Sequence, residues 1–228
     1  MDRIGERPQI EMRGLRRRGG VLGAVLVLHG ARRAELRRAC ALAGTLSDGC
    51  LLVAVDGGLR TCRAAARKPD LFVGDLDSTS RSPRGVTSVV YDRDKAFSDL
   101  AGALRELRTR RVQVVTVAGL LGGRLDHEWT NLLDLAAASD AFAGILAPTD
   151  RATVLVTRRG CRAATVRGRT VSLLAVGGPA TVTLRGTRWT LRRRRIRPGS
   201  LGLSNVTGTS LSLAVHSGAV ALVFPAGR

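Results

Sequence analysis

Aromatic side chains are nearly missing from this chain: Phe, Trp and Tyr together make up 3% of its 228 residues. A core must therefore be built from Val, Leu and Ala, and the 44% apolar content is enough to build one, which excludes wholesale disorder. Long apolar runs are missing too. The longest, 21–28 and 219–224, fall far short of the roughly 20 residues a helix needs to cross a bilayer, so no membrane partner is expected. Cysteine is sparse: Cys40, Cys50, Cys62 and Cys161 have no paired short spacing and no neighbouring His cluster. That excludes a zinc site or a C-x-x-C redox pair and reads as reduced thiols in a cytoplasmic protein. Acids are absent from the last third, where residues 151–228 carry 14 Arg and no Asp or Glu, whereas 21–150 carry 17 basic residues against 15 acids. Most of the net charge of +19 therefore comes from one end of the chain, a surface suited to polyanions.

Residues 1–20, with Arg16, Arg17, Arg18, Gly19 and Gly20, show no hydrophobic period and no apolar segment of a signal peptide, and read as a disordered basic leader. From 21 the pattern is orderly. Short apolar runs at 21–28, 51–55, 71–73, 86–91 and 112–117 alternate with helical stretches at 31–43, through Ala66, at 99–107 and at 126–138. Such alternation predicts a parallel sheet with helices on both faces, a three-layer α/β domain over 21–150. After Asp150 the period becomes two, as in 181–185 and 211–215, with turn clusters at Gly177-Gly178-Pro179 and Pro198-Gly199. This predicts an antiparallel β-sandwich over 151–228. The run Arg192 to Arg195 reads as a solvated loop or strand edge, because along a regular strand only alternate residues share a face. With little aromatic interleaving, no specific nucleic acid is expected there.

In an open parallel sheet, ligands bind at the carboxyl ends of the strands. Acids collect in those loops: Asp56 after 51–55, Asp75 and Asp77 after 71–73, Asp99 beyond 86–91, and Asp126 after 112–117. Clustered carboxylates without His or Cys suit Mg2+, which is commonly held by one or two carboxylates plus substrate phosphates. The implied substrate is a nucleoside triphosphate. Gly74-Asp75-Leu76-Asp77-Ser78 sets two carboxylates two residues apart after a glycine turn. Gly122-Gly123-Arg124-Leu125-Asp126-His127 joins a glycine turn to an Arg able to grip phosphate bidentately, with Asn131 on a broadly similar helix face. In the β region, Trp189 is a ring on which an aromatic, cationic ligand can stack, or a core or interface anchor.

Together these residues resemble the thiamine pyrophosphokinase family across nearly all of 24–224. Its D-G-G turn matches Asp56-Gly57-Gly58, and its P-D-x-x-x-G-D-x-D-S matches Pro69-Asp70 through Ser78. Its G-G-R-x-D-H with a later Asn matches Gly122 to His127 and Asn131. A G-x-x-W like Gly186 to Trp189 and an S-N like Ser204-Asn205 follow in order. Where the family reads K-D-x-T-D-x-E, Lys95, Ser98 and Asp99 are kept, but Ala96 and Ala101 replace two carboxylates. His29-Gly30 stands where the family often has Asn-Gly, and Val206 where an acid often follows the S-N pair.

The resemblance implies transfer of a pyrophosphoryl group from ATP to thiamine, giving thiamine diphosphate and AMP, in a homodimer with thiamine near the subunit interface. Asp75, Asp77 and Asp99 are then expected at Mg2+, and Lys95, Ser98 and Arg124 on phosphate oxygens. Asp56, Gly57, Gly58, Asp126, His127 and Asn131 are expected around ATP, and Trp189, Ser204 and Asn205 around thiamine. The rival readings are a pyrophosphokinase for another alcohol such as a pterin, a catalytically impaired nucleotide-binding homologue, and an Arg-rich nucleic-acid-associated protein.

Overall fold

The structure, a computed structural model, describes residues 8–15, 20, 22–77 and 81–226. Arg16 to Arg18, Gly19, Val21 and Ser78 lie outside the described residues. The first half contains β1 (Gln9–Met12), β2 (Leu22–Val27), α1 (Arg33–Leu46), β3 (Gly49–Val55), α2 (Gly58–Ala64), β4 (Leu71–Gly74), β5 (Thr87–Val90), α3 (Asp99–Thr109), β6 (Val114–Ala118), α4 (Leu125–Ala138) and β7 (Gly144–Pro148). The second contains β8 (Ala152–Thr157), β9 (Gly160–Ala164), β10 (Thr170–Thr187), β11 (Leu191–Ile196) and β12 (Asn205–Pro225).

Strands β7-β6-β2-β3-β4-β5 pair in that order, all parallel. Their alternate residues serve different helices. Val25, Val27, Ala54 and Phe72 pack with Leu36, Ala39, Leu59 and Cys62 of α1 and α2, while Leu26, Val53, Val55 and Val73 pack with Leu100, Leu104, Leu107 and Leu135 of α3 and α4. Both faces are covered, which is why these strands read as unbroken apolar runs rather than alternating ones. The expected three-layer α/β arrangement is present.

The expected change of texture at Asp150 falls in the hairpin between β7 and β8, which pair antiparallel. Thr149 closes that turn: its N–H and its hydroxyl both donate to the Ala152 carbonyl. One sheet therefore continues from the α/β half into the β half through β8, β12 and β9. Strand β7, fully buried, is not among the runs expected from the sequence. The β half is built on two long strands whose partner positions run in opposite directions, from Leu173 opposite Leu222 to Leu184 opposite Leu213. The cluster at Gly177-Gly178-Pro179, expected as a turn, is instead a kink inside β10. Gly177 and Gly178 take positive φ, and the pairing with β12 breaks between Val176 and Thr181. Strand β11 pairs only with β10 among the described residues, and all four of Arg192 to Arg195 are exposed. Simple alternation fails there because Arg193 is bulged, with φ +44 and its N–H bound by the Thr183 hydroxyl.

The expectation of disorder throughout 1–20 is corrected at its centre. Strand β1 pairs antiparallel with β9, Ile10 opposite Ala163 and Met12 opposite Cys161, and both side chains are buried in the core of the β half. The sulfur of Met12 sits 2.6 Å from where a Cβ would lie on Gly144, so the β1 side chain fills a space that a larger residue at 144 would close. Met12→Ala is expected to destabilise the protein by about 2–4 kcal/mol, the range for a buried Met truncation, read as a lower denaturant midpoint. A midpoint equal to wild type would mean that β1 does not belong to the folded core.

Candidate active site

The site begins with two loops that pass unusually close. Strand β3 is followed by Asp56, whose φ of +43 is one that Asp tolerates better than most residues, and the Asp56 N–H donates to the Val73 carbonyl of the neighbouring strand. A Cβ on Gly74 would lie 3.1 Å from Cα of Asp56, so glycine at 74 lets the Asp75 loop lie against the Asp56 loop. Gly58 is constrained further. A Cβ there would meet the Val27 carbonyl oxygen at 1.8 Å, and one on Gly57 would meet the His29 ring at 2.2 Å.

Onto this pair comes the segment between β5 and α3. Ser98 caps α3, its hydroxyl accepting from the Ala101 N–H at 3.0 Å and donating to Asp134 of α4 at 2.5 Å. Asp99 thereby occupies the first turn of α3, where the helix dipole favours a negative charge. Lys95 turns inward, with Nζ 2.6 Å from Asp75 Oδ2 and 3.1 Å from Asp99 Oδ1, and its side chain is only 8% exposed. Phe97 holds the segment down: it meets Tyr91 edge-to-face at 5.1 Å and carries the Arg105 guanidinium 4.2 Å above its ring. Tyr91 in turn lies against Gly102, where a Cβ would come within 2.5 Å of its ring.

The result is three carboxylates, Asp56, Asp75 and Asp99, each offering an oxygen within 4.8 Å of the others. Burial, together with the charges of Asp75 and Asp56, pushes the Asp99 carboxyl above its ordinary range despite Lys95. Burial opposes ionisation of Asp75 as well, but hydrogen bonds from Lys95 and from the Asp77 N–H outweigh it and hold its carboxyl below the usual range. Lys95 is held above its ordinary range, because its bonds to Asp75 and Asp99 outweigh the cost of burial. A donor set of oxygens alone, negative in sum and already gathered around one cationic group, fits a hard divalent cation.

Asp77, expected at the metal, is exposed and outside this group, and its N–H donates to Asp75 Oδ1 at 3.1 Å. Asp56, expected at the nucleotide, stands in the group instead. Ser98, expected on phosphate, has its hydroxyl committed to Ala101 and Asp134. Asp94, exposed, takes its place in a turn closed by its N–H to Asp92 Oδ1.

Arg124, Asp126 and His127 lie at the start of α4, which follows β6, and so on the same carboxyl edge of the sheet. All three are exposed. Arg124 grips Asp126 through two bonds of 3.1 and 2.6 Å, and this pairing, above all its hydrogen bond, lowers the Asp126 carboxyl from its ordinary value. The N–H groups of Gly122 and Gly123 both donate to Glu128, at 2.5 and 3.0 Å, so the glycine turn already holds a carboxylate. Asn131 is half-buried one helical turn beyond His127.

In the β half, Trp189, Ser204 and Asn205 are also brought together. Buried Asn205 receives the Trp189 N–H at 3.1 Å and the Val206 N–H at 2.8 Å, and donates to the Trp189 carbonyl at 2.7 Å. Ser204, at φ +56, donates its N–H to the Ser172 hydroxyl. The Trp189 ring remains 55% exposed, and Arg188 lies 5.1 Å from its centroid, so a cation already rests against this ring. Trp189 is therefore not a core anchor, and its exposure is compatible with an interface anchor.

Sequence reasoning missed Tyr91, Phe97, Arg105, Asp134 and Glu128. The signal available was the placing of Phe97 between Lys95 and Asp99 in a chain with so few aromatics.

Fold and site together define a class: a three-layer α/β protein with a carboxylate-and-lysine centre on the carboxyl edge of its sheet, joined to a β domain. The model of the thiamin pyrophosphokinase catalytic domain matches residues 43–145, and that of the thiamin pyrophosphokinase vitamin B1 binding domain matches 158–218. The chain belongs to the thiamin pyrophosphokinase family. Thiamine pyrophosphokinase from Bacillus subtilis has the same fold, with a TM-score of 0.71 at 18% identity over 90% of this chain and 100% of that one. Thiamin pyrophosphokinase from Geobacillus thermodenitrificans gives 0.67 at 20% identity, covering 91% and 99%. A probable thiamine pyrophosphokinase from Staphylococcus saprophyticus gives 0.61 at 20%, covering 90% and 100%. No curated protein matches the chain in sequence.

Asn205→Ala removes the two bonds that hold the backbone at Trp189 and a third from the Val206 N–H. In a Trp129→Phe background, which leaves Trp189 as the sole tryptophan, it is expected to increase acrylamide quenching of the remaining fluorescence and to cost about 1–3 kcal/mol of stability. Unchanged quenching would show that Asn205 does not position the ring.

Proposed function

We propose that the chain transfers the pyrophosphoryl group of ATP to thiamine, giving thiamine diphosphate and AMP, with Mg2+ as the metal. The observation that carries this reading is the Asp56–Asp75–Asp99 group, with Lys95 bound to Asp75 and Asp99, in a chain of this family. Mg2+ held by these carboxylates would supply positive charge to the ATP phosphates. Asp77 is assigned as an outer carboxylate whose N–H fixes Asp75. Lys95 and Arg124 are assigned to phosphate oxygens, each released from a carboxylate partner to do so. Ser98 positions Asp99 by capping its helix. Gly57 and Gly58 let the backbone turn closely at Asp56, and Asp126, His127 and Asn131 line the nucleotide side. Positioning and charge stabilisation dominate such transfers, so no protein nucleophile is required.

Trp189 is assigned to thiamine by stacking, with Ser204 and Asn205 setting the loop beneath it. A homodimer is supported by Leu125, Trp129 and Leu133, spaced four apart on α4 and all exposed, an apolar stripe that water disfavours. Among the described residues no helix is long and apolar enough to cross a membrane, and we assign the protein to the cytoplasm.

Purified protein incubated with ATP, Mg2+ and thiamine is expected to yield AMP and thiamine diphosphate; ADP as the product, or inertness with thiamine, would overturn the reading. Asp56→Asn, Asp75→Asn and Asp99→Asn should each cost at least about 100-fold in turnover, and Asp77→Asn less, about tenfold. Turnover near wild type in all of the first three would remove the metal assignment. Ala96 is exposed beside Lys95. Ala96→Asp is expected to lower the Mg2+ concentration for half-maximal rate, whereas Asp94→Ala, outside the group, should leave it unchanged. The opposite pattern would show that Asp94 has taken over as a ligand.

A further inference from the structure

On the opposite edge of the parallel sheet, where β4 and β5 begin, lies a groove of about 430 Å³. It is lined by Arg63, Arg67, Lys68 and Arg84, with Leu59 and Pro69 at its base, and by no carboxylate among the described residues. The four cations come from three different segments. Arg63 closes the last turn of α2. Arg67 and Lys68 follow a left-handed residue, Ala66 at φ +52, with the Arg67 N–H returning to the Cys62 carbonyl at 2.9 Å. Arg84 comes from the loop before β5. Lys68 reaches across to that loop, its Nζ 3.3 Å from where a Cβ would lie on Gly85.

A helix C-terminus favours nearby cations, and this accounts for Arg63. It does not account for Lys68 and Arg84, which belong to other loops. None of the four makes an ion pair with any described carboxylate, although the first half of the chain is nearly balanced in charge. Converging like charges repel, and the arrangement is relieved by a compact anion. Arginine forks match phosphate oxygens bidentately, and the volume lies within the roughly 300–1,000 Å³ of small-molecule sites.

We propose that this groove is a second anion site, distinct from the catalytic edge, that takes a diphosphate group, either free pyrophosphate or the diphosphate of an ester. The diphosphate bridges Arg63 and Arg67 on one wall and Lys68 and Arg84 on the other. The site lies at the far end of the short helix α2 that starts beside Asp56, so the two sites share one element.

The test is calorimetric titration of the full chain with inorganic pyrophosphate in the presence of a chelator, where the carboxylate centre repels the anion. No turnover is required, so failure here leaves the proposed activity untouched, and failure of that activity leaves this test valid. Saturable binding is expected, weakened about tenfold or more in Arg63→Gln/Arg84→Gln and in Lys68→Ala, and unaltered in Arg192→Gln/Arg194→Gln. These side chains are exposed, so the variants should keep the wild-type melting temperature. Tighter binding of ADP than of pyrophosphate would support the site with an ester as its occupant, and the reverse would support it with the free anion. Absence of saturable binding, equal affinity for sulfate at matched ionic strength, or equal losses in the Arg192 and Arg63 variants would overturn the proposal.

Discussion

Three carboxylates share one small volume, and the rest of the α/β half is arranged around that crowding. At about 4.8 Å two unit charges repel by roughly 3–4 kcal/mol at an effective dielectric near 20, so Asp56, Asp75 and Asp99 tolerate one another only with a cation among them. Lys95 supplies it, and the consequences are divided unequally. Asp75 receives the shorter bond and an N–H from Asp77, and stays readily ionised. Asp99, with a longer bond to Lys95, is pushed upward by burial and by the charges of Asp75 and Asp56. On the proposed reading, a divalent cation held by these carboxylates would leave the Lys95 ammonium for phosphate oxygens.

The crowding needs scaffolding at three levels. Glycine at 58 brings backbone to backbone at a distance that any side chain would prevent, and glycine at 74 at one that a side chain would crowd. The Ser98 cap and its bond to Asp134 lock α3 against α4, so Asp99 cannot drift. The Tyr91–Phe97–Arg105 stack fixes the loop that carries Lys95. These supports bear directly on the segments that carry the group, so substitutions there should act on the site's geometry before they act on global stability.

Much of this was legible from sequence for a physical reason. Strands covered on both faces must be apolar throughout, and that pattern is visible without a structure. The acids in the following loops were visible too, but their grouping was not. Which carboxylate meets which depends on a positive φ at Asp56 and the close passage of Gly74, and spacing along the chain encodes neither. Hence Asp77 was expected at the metal and Asp56 at the nucleotide, whereas the folded chain sets Asp56 in the carboxylate group and Asp77 beside it, with its N–H on Asp75. Strand β1 escaped notice because two buried positions, Ile10 and Met12, make no period amid arginines. The kink at Gly177-Gly178 read as a turn because glycine and proline mark both chain reversals and strand bends.

The acid-free β half has a further consequence. With no Asp or Glu of its own, it rests its cohesion on an apolar core and on backbone ladders along β10 and β12. Asp150, the last acid in the chain, is already shared by Arg32 and Arg38 of the α/β half. A surface with uncompensated positive charge attracts anions over a Debye length, about 8–10 Å at ordinary salt, and repels cations. A cationic ligand can therefore be held there only at short range, where an aromatic face outweighs the field. In the β half that face is Trp189, whose backbone Asn205 fixes and against whose ring Arg188 already lies. On the proposed reading, thiamine would be held in this half by that ring against the field of the surrounding arginines.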